Sequence, residues 1–319
     1  MDWDQRCIRL CGALIASAIL LRLWSGGVFA PVGRALEQPG TASFLLYLHT
    51  GRVVRSLPVR EEAPPPQTVP IRSGPPVFRE EDLGLLSIDD EPGCQPDAEA
   101  LLTAPLDLDL TGQGPKVLIL HTHTTESYRQ SGQRYEETSP YRTLDPGHNM
   151  TALGTLVAEE LEAAGIGVLH DTDFHDYPSY TGAYSHAAAA IRDYLAAYPT
   201  ISLILDLHRD AADTPTGQMA TSCRIDGESA AQLMFVLGTD ARLKHPDWER
   251  NLSLALKLQV LLEKENPGIC RDLQLSKNRY NQHFGPATLL VEIGAAGNTL
   301  AEAKPAAEAL AKAIAELCG

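Results

Sequence analysis

Short apolar runs alternate with longer segments of helical spacing over the C-terminal two-thirds of the chain. The apolar runs predict strands at 116–120, 167–171, 201–208, 231–238 and 287–295. Apolar residues three and four positions apart predict helices that begin at 149, 183, 251 and 300. Strands that alternate with helices are typical of a doubly wound, mostly parallel sheet with helices on both faces. We therefore predict an α/β domain over residues 114–319.

The first 24 residues have a different pattern. An uncharged apolar run from Leu10 to Leu21 stands between Arg9 and Arg22. A spanning helix needs about 20 apolar residues, so this run predicts a membrane anchor only if the flanking arginines reach the interface. The alternative is a signal peptide cleaved after Ala30, although Pro31 disfavours cleavage there. Both interpretations place the rest of the chain outside the cytoplasm.

Residues 25–113 are rich in Pro, Glu and small polar residues, as in EEAPPPQTVPIRSGPPVFREEDLG. Proline removes backbone donors and fixes φ, which favours an extended spacer over packed elements. The predicted organisation is therefore a segment 1–24 that is a membrane anchor or signal, a spacer 25–113 and a folded domain 114–319. With an uncleaved anchor, the protein would be a single-pass protein of the cell membrane with an extracytoplasmic domain.

Charge and cysteine content narrow the classes of function. The chain has 41 acidic and 26 basic residues, a formal charge of −15. This argues against binding nucleic acid or an anionic membrane surface through charge, because phosphate neutralisation needs clustered Lys and Arg. The six cysteines have no Cys-x-x-Cys spacing, which argues against a zinc ribbon or a thioredoxin-like site.

Candidate chemistry lies at the ends of three predicted strands. The first strand leads into His121, His123 and Glu126, the third ends at His208, and the fifth contains Glu292. Carboxyl ends of neighbouring parallel strands meet at one edge of a sheet. Two histidines and a carboxylate are ligands of a catalytic zinc, and a further carboxylate would be the general base. A single histidine at a strand end is usually an ordinary loop residue, and the glutamate in LLVEIG could instead form a salt bridge with a nearby arginine. The prediction of a metal site therefore depends on finding such residues at the ends of all three strands.

Several segments, in order, resemble one known family. They are LILHTHTTESY, GHNMTALGTLVAEELEAAGIGVLHD, DYPSYTGAYSHA, ILDLHRDA, RYNQ and LLVEIGAAGNTLAEA. The chain is similar over about its last two-thirds to stage II sporulation protein P, a membrane-anchored peptidoglycan hydrolase of endospore-forming bacteria. The resemblance implies a zinc-dependent N-acetylmuramoyl-L-alanine amidase that degrades septal peptidoglycan during engulfment. It also implies the stage II sporulation proteins D and M as partners.

The resemblance to zinc amidases and zinc carboxypeptidases also implies roles for residues. His123, Glu126 and His208 would be the metal ligands and Glu292 the general base. The amidases take their ligand carboxylate from the start of a helix where this sequence has His148, so His148 is an alternative to Glu126 as third ligand. His121 would orient a ligand or line the substrate groove.

Other residues near these motifs have two interpretations each. Arg209 would stabilise the oxyanion or bind a peptide carboxylate, or would pair with Asp206 or Asp210. Asp206 would accept the ring N–H of His208, or simply close the strand. A further group of aromatic and polar residues has two interpretations: they would contact the sugar or peptide of the substrate, or they would only pack at a helix start and a turn. These residues are His175, Tyr177, Tyr180, Tyr184, His186, Asn281 and Gln282.

Two other functions fit the same residues. One is a related zinc endopeptidase or carboxypeptidase that acts on stem peptides, which would need a pocket for a terminal carboxylate. The other is a non-catalytic wall-binding protein, which would lack a metal ligand or the base. None of these residues is missing from the sequence.

Overall fold

The computed structural model describes residues 75–317, apart from 133, 216 and 286. The predicted membrane segment and most of the predicted spacer lie outside the described residues. Within the described part, no helix has the length and apolar character needed to cross a membrane.

The described chain alternates strands and helices. The strands are β1 Ile88–Asp90, β2 Val117–Leu120, β3 Val168–His170, β4 Leu203–Asp210, β5 Asp213–Thr214, β6 Gly217–Gln218, β7 Cys223–Ile225, β8 Glu228–Ala230, β9 Leu233–Gly238, β10 Leu273–Ser276 and β11 Thr288–Ala295. The helices are α1 Ala98–Thr103, α2 Met150–Ala163, α3 Ala183–Ala197, α4 Trp248–Glu265 and α5 Leu300–Glu316, with short 3-10 helices at Glu80–Leu85 and Gln282–Phe284. All predicted strands and helices are present, and the α/β class is confirmed.

Seven strands form one mixed sheet in the order β1–β10–β9–β11–β4–β2–β3. All neighbouring pairs are parallel except β9 and β11, which are antiparallel. The reversal follows from the connection between β4 and β9. Two small hairpins, β5–β6 and β7–β8, fill this connection where a crossover helix would return the chain. The prediction of a mostly parallel sheet therefore missed a change of direction in its middle.

The two faces of the sheet are covered unequally. Apolar residues of α1, α2, α4 and α5 form one large core with Val117, Leu205, Phe235 and Val291 on the first face. On the second face, α3 packs over β2 and β4 through Ala187 and Ile191. Within the described residues, α3 is the one α-helix in the apolar clusters of this face, and Phe284 of the second 3-10 helix packs beside it. The prediction of helices on both faces therefore applies to half of the sheet, and over the other half Tyr280 of the loop after β10 packs on the buried side chains of Met234, Val236 and Leu290.

The N-terminal boundary of the domain differs from the predicted residue 114. Residues 80–103, assigned to the spacer from composition, form a 3-10 helix, β1 and α1. Ser253 Oγ and Lys257 Nζ of α4 donate hydrogen bonds of 2.7 and 2.8 Å to the carbonyl oxygen of Leu101. Leu102 is fully buried in the main core. A few leucines thus anchor a segment whose Pro and acidic content resembles that of a spacer.

Candidate metal centre

The loop after β2 carries the first two candidate ligands. The strand ends at Leu120, and residues 122–125 form a turn. Two buried carboxylates hold this turn. Asp206 accepts hydrogen bonds from the backbone N–H and hydroxyl of Thr122 at 2.8 and 2.6 Å. Asp176 accepts the equivalent pair from Thr125 at 3.1 and 2.6 Å. The turn is therefore fixed before any ligand binds.

This turn and β4 bring three predicted ligands together. His123, Glu126 and His208 are buried, and each offers one ligand atom within 4.8 Å of the others. Glu126 Oε2 lies 3.6 Å from His208 Nδ1. The rings of His123 and His208 stand almost perpendicular, with centroids 5.4 Å apart. The geometry groups these residues as the sequence predicted, and their role as ligands remains a prediction.

Charged neighbours keep Glu126 ionised. Burial alone would raise the pKa of this carboxyl, but Arg209 and the His208 imidazolium lower the pKa to about 2. Asp206 and Glu126 in turn raise the pKa of His208, whose ring proton a bound metal would displace. Glu126 Oε1 lies 3.4 Å from Arg142 Nη2 and 3.6 Å from Arg209 Nη1. The guanidinium groups thus contact Oε1, whereas Oε2 faces His208 and accepts a 3.4 Å hydrogen bond from the Arg209 backbone N–H. A permanently ionised oxygen is a suitable ligand for a cation.

The histidines also have atoms free for a metal. His123 Nδ1 is buried and has no hydrogen-bond partner among the described residues. Burial lowers the pKa of His123, which favours the neutral imidazole that binds metals. His208 Nε2 lies 2.9 Å from Asp206 Oδ1, outside hydrogen-bond alignment, and its Nδ1 faces Glu126. Two imidazoles and one carboxylate fit Zn²⁺, with Asp206 behind a ligand as a carboxylate that orients it.

Glu292 lies directly beside this group. In β11 it is the registered partner of His208 in β4, so the two side chains point to the same face of the sheet, the second one. The residue is partly exposed, but its Oε2 is enclosed and has no hydrogen-bond partner among the residues that the structure describes. Burial, with the nearby carboxylates of Glu126 and Asp210, raises the pKa of Glu292 to about 8. This carboxyl can therefore both hold and release a proton near neutral pH.

Arg209 lies on the other face of β4. It is buried and donates hydrogen bonds of 3.0 Å to the carbonyl oxygens of Ser127 and Tyr141. Asp206 and Asp210, its predicted alternatives, contact His208 and Arg271 instead. The structure thus gives Arg209 a positioning role at Glu126 and does not favour the predicted contact with substrate.

The two remaining histidines predicted near the metal lie elsewhere. His121 Nδ1 is 3.0 Å from the Leu207 carbonyl oxygen, and its Nε2 is 2.9 Å from His170 Nε2. It thus supports the backbone beside His208 and does not line the groove. His148 pairs with Asp145 at 2.9 Å and stacks on Tyr135 at 4.5 Å. The geometry favours Glu126 over His148 as third ligand.

Aromatic side chains surround the candidate metal centre. Tyr180 stacks on His123 with centroids 4.4 Å apart and is 57% exposed, and Tyr184 meets the same imidazole edge-on at 5.6 Å. Tyr177 is also exposed, at 46%. By contrast, His175 and His186 have structural roles. His175 Nε2 lies 3.0 Å from Asp171 Oδ2, and His186 Nδ1 lies 2.8 Å from the His175 carbonyl oxygen.

Two residues of the site were not predicted from the sequence. Arg142 Nη1 donates a 2.6 Å hydrogen bond to Asp176 Oδ2, and its guanidinium lies 4.8 Å from the centroid of Tyr180. Asp176 in turn holds the turn that carries Glu126. Neither residue stands at a strand end, so no local pattern marks them. The fold joins them to Glu126 through an isolated β-bridge between Glu126 and Arg142.

Fold and site together define an α/β domain with a candidate divalent-metal centre beside a buried carboxyl. The model of the Stage II sporulation protein P family matches residues 77–315, and the chain belongs to this family. Stage II sporulation protein P of Bacillus subtilis (strain 168) is 29% identical over an alignment of 296 residues, and the match covers 88% of this chain and 68% of that protein.

Two solved structures are also similar. One is the N-acetylmuramoyl-L-alanine amidase AmiC2 of Nostoc punctiforme, with a TM-score of 0.39, 15% identity and coverage of 64% of this chain and 97% of that chain. The other is the catalytic domain of CwlV, an N-acetylmuramoyl-L-alanine amidase from Bacillus (Paenibacillus) polymyxa var. colistinus. Its TM-score is 0.36 with 12% identity, over 63% of this chain and 94% of that chain.

Proposed function

We propose that this chain is a zinc-dependent N-acetylmuramoyl-L-alanine amidase that hydrolyses peptidoglycan during sporulation. The single observation that carries the proposal is the buried group of His123, Glu126 and His208, with Glu292 registered beside His208 on the same face of the sheet. Membership of the Stage II sporulation protein P family supports the setting, which is septal peptidoglycan degradation during engulfment.

The chemistry divides between the metal and the chain. His123, Glu126 and His208 would hold Zn²⁺, which supplies a Lewis acid that activates water and polarises the amide carbonyl. Glu292 would accept a proton at Oε2 from the attacking water and give it to the departing amine. Arg209 and Arg142 hold Glu126 in place. The exposed ring of Tyr180 beside His123 would contact the sugar or peptide.

Digestion of purified sacculi tests the reaction. We expect stem peptides with a free L-alanine amino terminus and glycan strands with unsubstituted lactyl groups, identified by mass spectrometry. Products cut within the stem peptide would indicate a zinc peptidase. Binding to sacculi without release of fragments would indicate a wall-binding protein. The control is the same digestion after removal of metal with a chelator and after restoring Zn²⁺.

The topology belongs to the same proposal. Residues 1–24 would anchor the chain in the cell membrane as a single pass, residues after them would form a spacer, and the domain would act outside the cytoplasm beside the engulfment proteins D and M. Protease added to intact protoplasts should then remove the domain. A domain that stays protected until the protoplasts are lysed would contradict this placement.

A further inference from the structure

A cavity next to the candidate metal centre has no role in the reaction described above. It lies between Tyr184, residues 242–243 and the loop 278–281 after β10, and its volume is about 600 Å³. Tyr184 joins it to the metal centre, because its ring is 5.6 Å from that of His123 and 5.8 Å from that of Tyr280. We call this space the Arg242–Arg279 cavity, after its two arginines.

The loop that forms the cavity is held in a strained, defined conformation. Tyr280 and Asn281 both have left-handed backbone angles, with φ of 45° and 62°. Asn281 Nδ2 donates a 2.8 Å hydrogen bond to the carbonyl oxygen of Tyr184. Such a backbone conformation persists only where the surroundings enforce it, which is common at ligand-binding sites.

Packing behind the loop provides that enforcement. A Cβ at Gly238 would lie 2.3 Å from Arg279 Cα, so glycine allows β9 and the loop to touch. Gln282 accepts a 2.6 Å hydrogen bond from Gly238 N–H and donates one of 2.7 Å to the Val236 carbonyl oxygen. The loop therefore presents Arg279 from a fixed backbone, which lowers the entropic cost of binding.

The charge of the cavity is opposite to that of the whole chain. Arg242 and Arg279 line it, and no carboxylate is found among its described lining residues, although the chain carries a formal charge of −15. Among the described residues, Arg242 Nη1 donates a hydrogen bond of 2.9 Å to Asn278 Oδ1, and Arg279 Nη1 donates one of 2.7 Å to the Lys244 carbonyl oxygen. A guanidinium has five N–H donors, so others remain for a ligand.

We infer that the Arg242–Arg279 cavity binds the free α-carboxylate of the stem-peptide residue that follows L-alanine. This inference rests on the proposed amidase function. In peptidoglycan that residue is a glutamate joined through its side chain, so its α-carboxyl remains either ionised or amidated. Two extended residues span about 7 Å. That reach matches the position of Tyr184, whose ring forms a cavity wall 5.6 Å from His123. Arginine recognises a carboxylate by a forked pair of hydrogen bonds.

The test pairs two substrates with two variants of the purified full chain. The substrates are muramoyl peptides whose glutamate carries either a free α-carboxylate or an α-amide. We expect Arg279→Gln and Arg242→Gln to raise KM for the carboxylate substrate by about 10-fold, with kcat nearly unchanged, since a lost charged hydrogen bond has about this size. KM for the amide substrate should change less than about 2-fold, because the amide offers no charge.

Arg224→Gln is the matched control, since Arg224 is also exposed and donates to a backbone carbonyl oxygen, that of Gly227, on a hairpin. It should leave both KM values unchanged. Equal losses for both substrates in Arg279→Gln would overturn the inference, because they would reflect a displaced loop and not carboxylate recognition. Arg279→Lys separates the two cases further, since it keeps the charge and should recover part of the carboxylate preference.

A binding measurement keeps the inference separate from the proposed function. If the wild-type chain cleaves neither substrate, the amidase proposal fails. Calorimetry with the free L-alanyl-γ-D-glutamyl peptide then tests carboxylate binding in the Arg242–Arg279 cavity independently of cleavage. Binding to the wild-type chain that weakens about 10-fold in Arg279→Gln, but not in Arg224→Gln, would support carboxylate recognition. Equal affinity for all three chains, or no binding at all, would overturn it.

Discussion

Glu292→Gln should slow amide cleavage by about 10²- to 10⁴-fold, the usual size of a general-base effect, while zinc remains bound. Glutamine keeps the shape of the side chain but cannot accept a proton at Oε2. That oxygen is enclosed and has no partner among the described residues, so no neighbour takes over the transfer. The measurement is turnover of sacculi alongside metal analysis of the same preparation.

Glu228→Gln on the exposed β8 strand is the control and should retain full activity and metal. If Glu292→Gln loses zinc, Glu292 is a ligand and the role of Glu126 must be reassigned. If the variant keeps both zinc and full turnover, Glu292 is structural. His121 would not then replace it, because its two ring nitrogens contact Leu207 and His170 inside the fold.

Glu292→Gln should also stabilise the metal-free domain against unfolding, and this gain in stability should increase with pH. Burial raises the pKa of Glu292 to about 8, above its ordinary 4.5, so the folded state binds a proton that the unfolded state releases between these values. The stability that this proton gives is complete below pH 4.5 and is lost as the pH rises through 8. Glutamine does not ionise.

We therefore expect the difference in unfolding free energy, Glu292→Gln minus wild type, to be near zero at pH 4.5 and to grow toward pH 8. At pH 7 it should be about 3 kcal/mol, or roughly 6–12 °C in melting temperature. Thermal melts in the presence of a chelator measure it. A difference that does not change with pH would show that the carboxyl is not held protonated by its site.

The parts of this fold that follow from local sequence were predictable. Apolar runs such as VLIL and LILDL become buried strands because they lie inside the sheet and helices cover both of their faces. The polar residues that follow each run identify the edge where His123 and His208 meet. Side-chain alternation also explains Arg209. The rule that places Asp206 and His208 on one face of β4 places Arg209 on the other, where it contacts Ser127 and Tyr141.

The remaining features depend on contacts between distant segments. The antiparallel β9 results from hairpins that replace a crossover helix, and a strand's own residues do not encode its direction. Arg142 and Asp176 join the site across 34 residues of chain, with no spacing motif to mark them. If β2 continued beyond Leu120, side-chain alternation would place His121 and His123 on the same face. The turn at residues 122–125 separates the two side chains instead.

Replacing a candidate ligand should remove the metal. We expect about one zinc per chain in the wild type, and His208→Ala should lose both the zinc and all measurable cleavage, because the two remaining ligands cannot close the site. His123→Ala should behave in the same way. Metal analysis after dialysis against trace zinc, together with sacculus digestion, measures both effects.

Two further variants turn this loss into a graded series. Asp206→Asn removes the charge 2.9 Å behind His208 and one of the two oxygens that accept hydrogen bonds from Thr122, so zinc affinity should fall by about 10- to 100-fold. His148→Ala should change neither zinc content nor cleavage, since His148 is bound to Asp145 and stacked on Tyr135. The order His148→Ala, Asp206→Asn, His208→Ala should therefore be one of increasing zinc loss. Loss of zinc in His148→Ala with full retention in Glu126→Gln would move the third ligand to His148, and full zinc content in His208→Ala would remove the metal centre from this site.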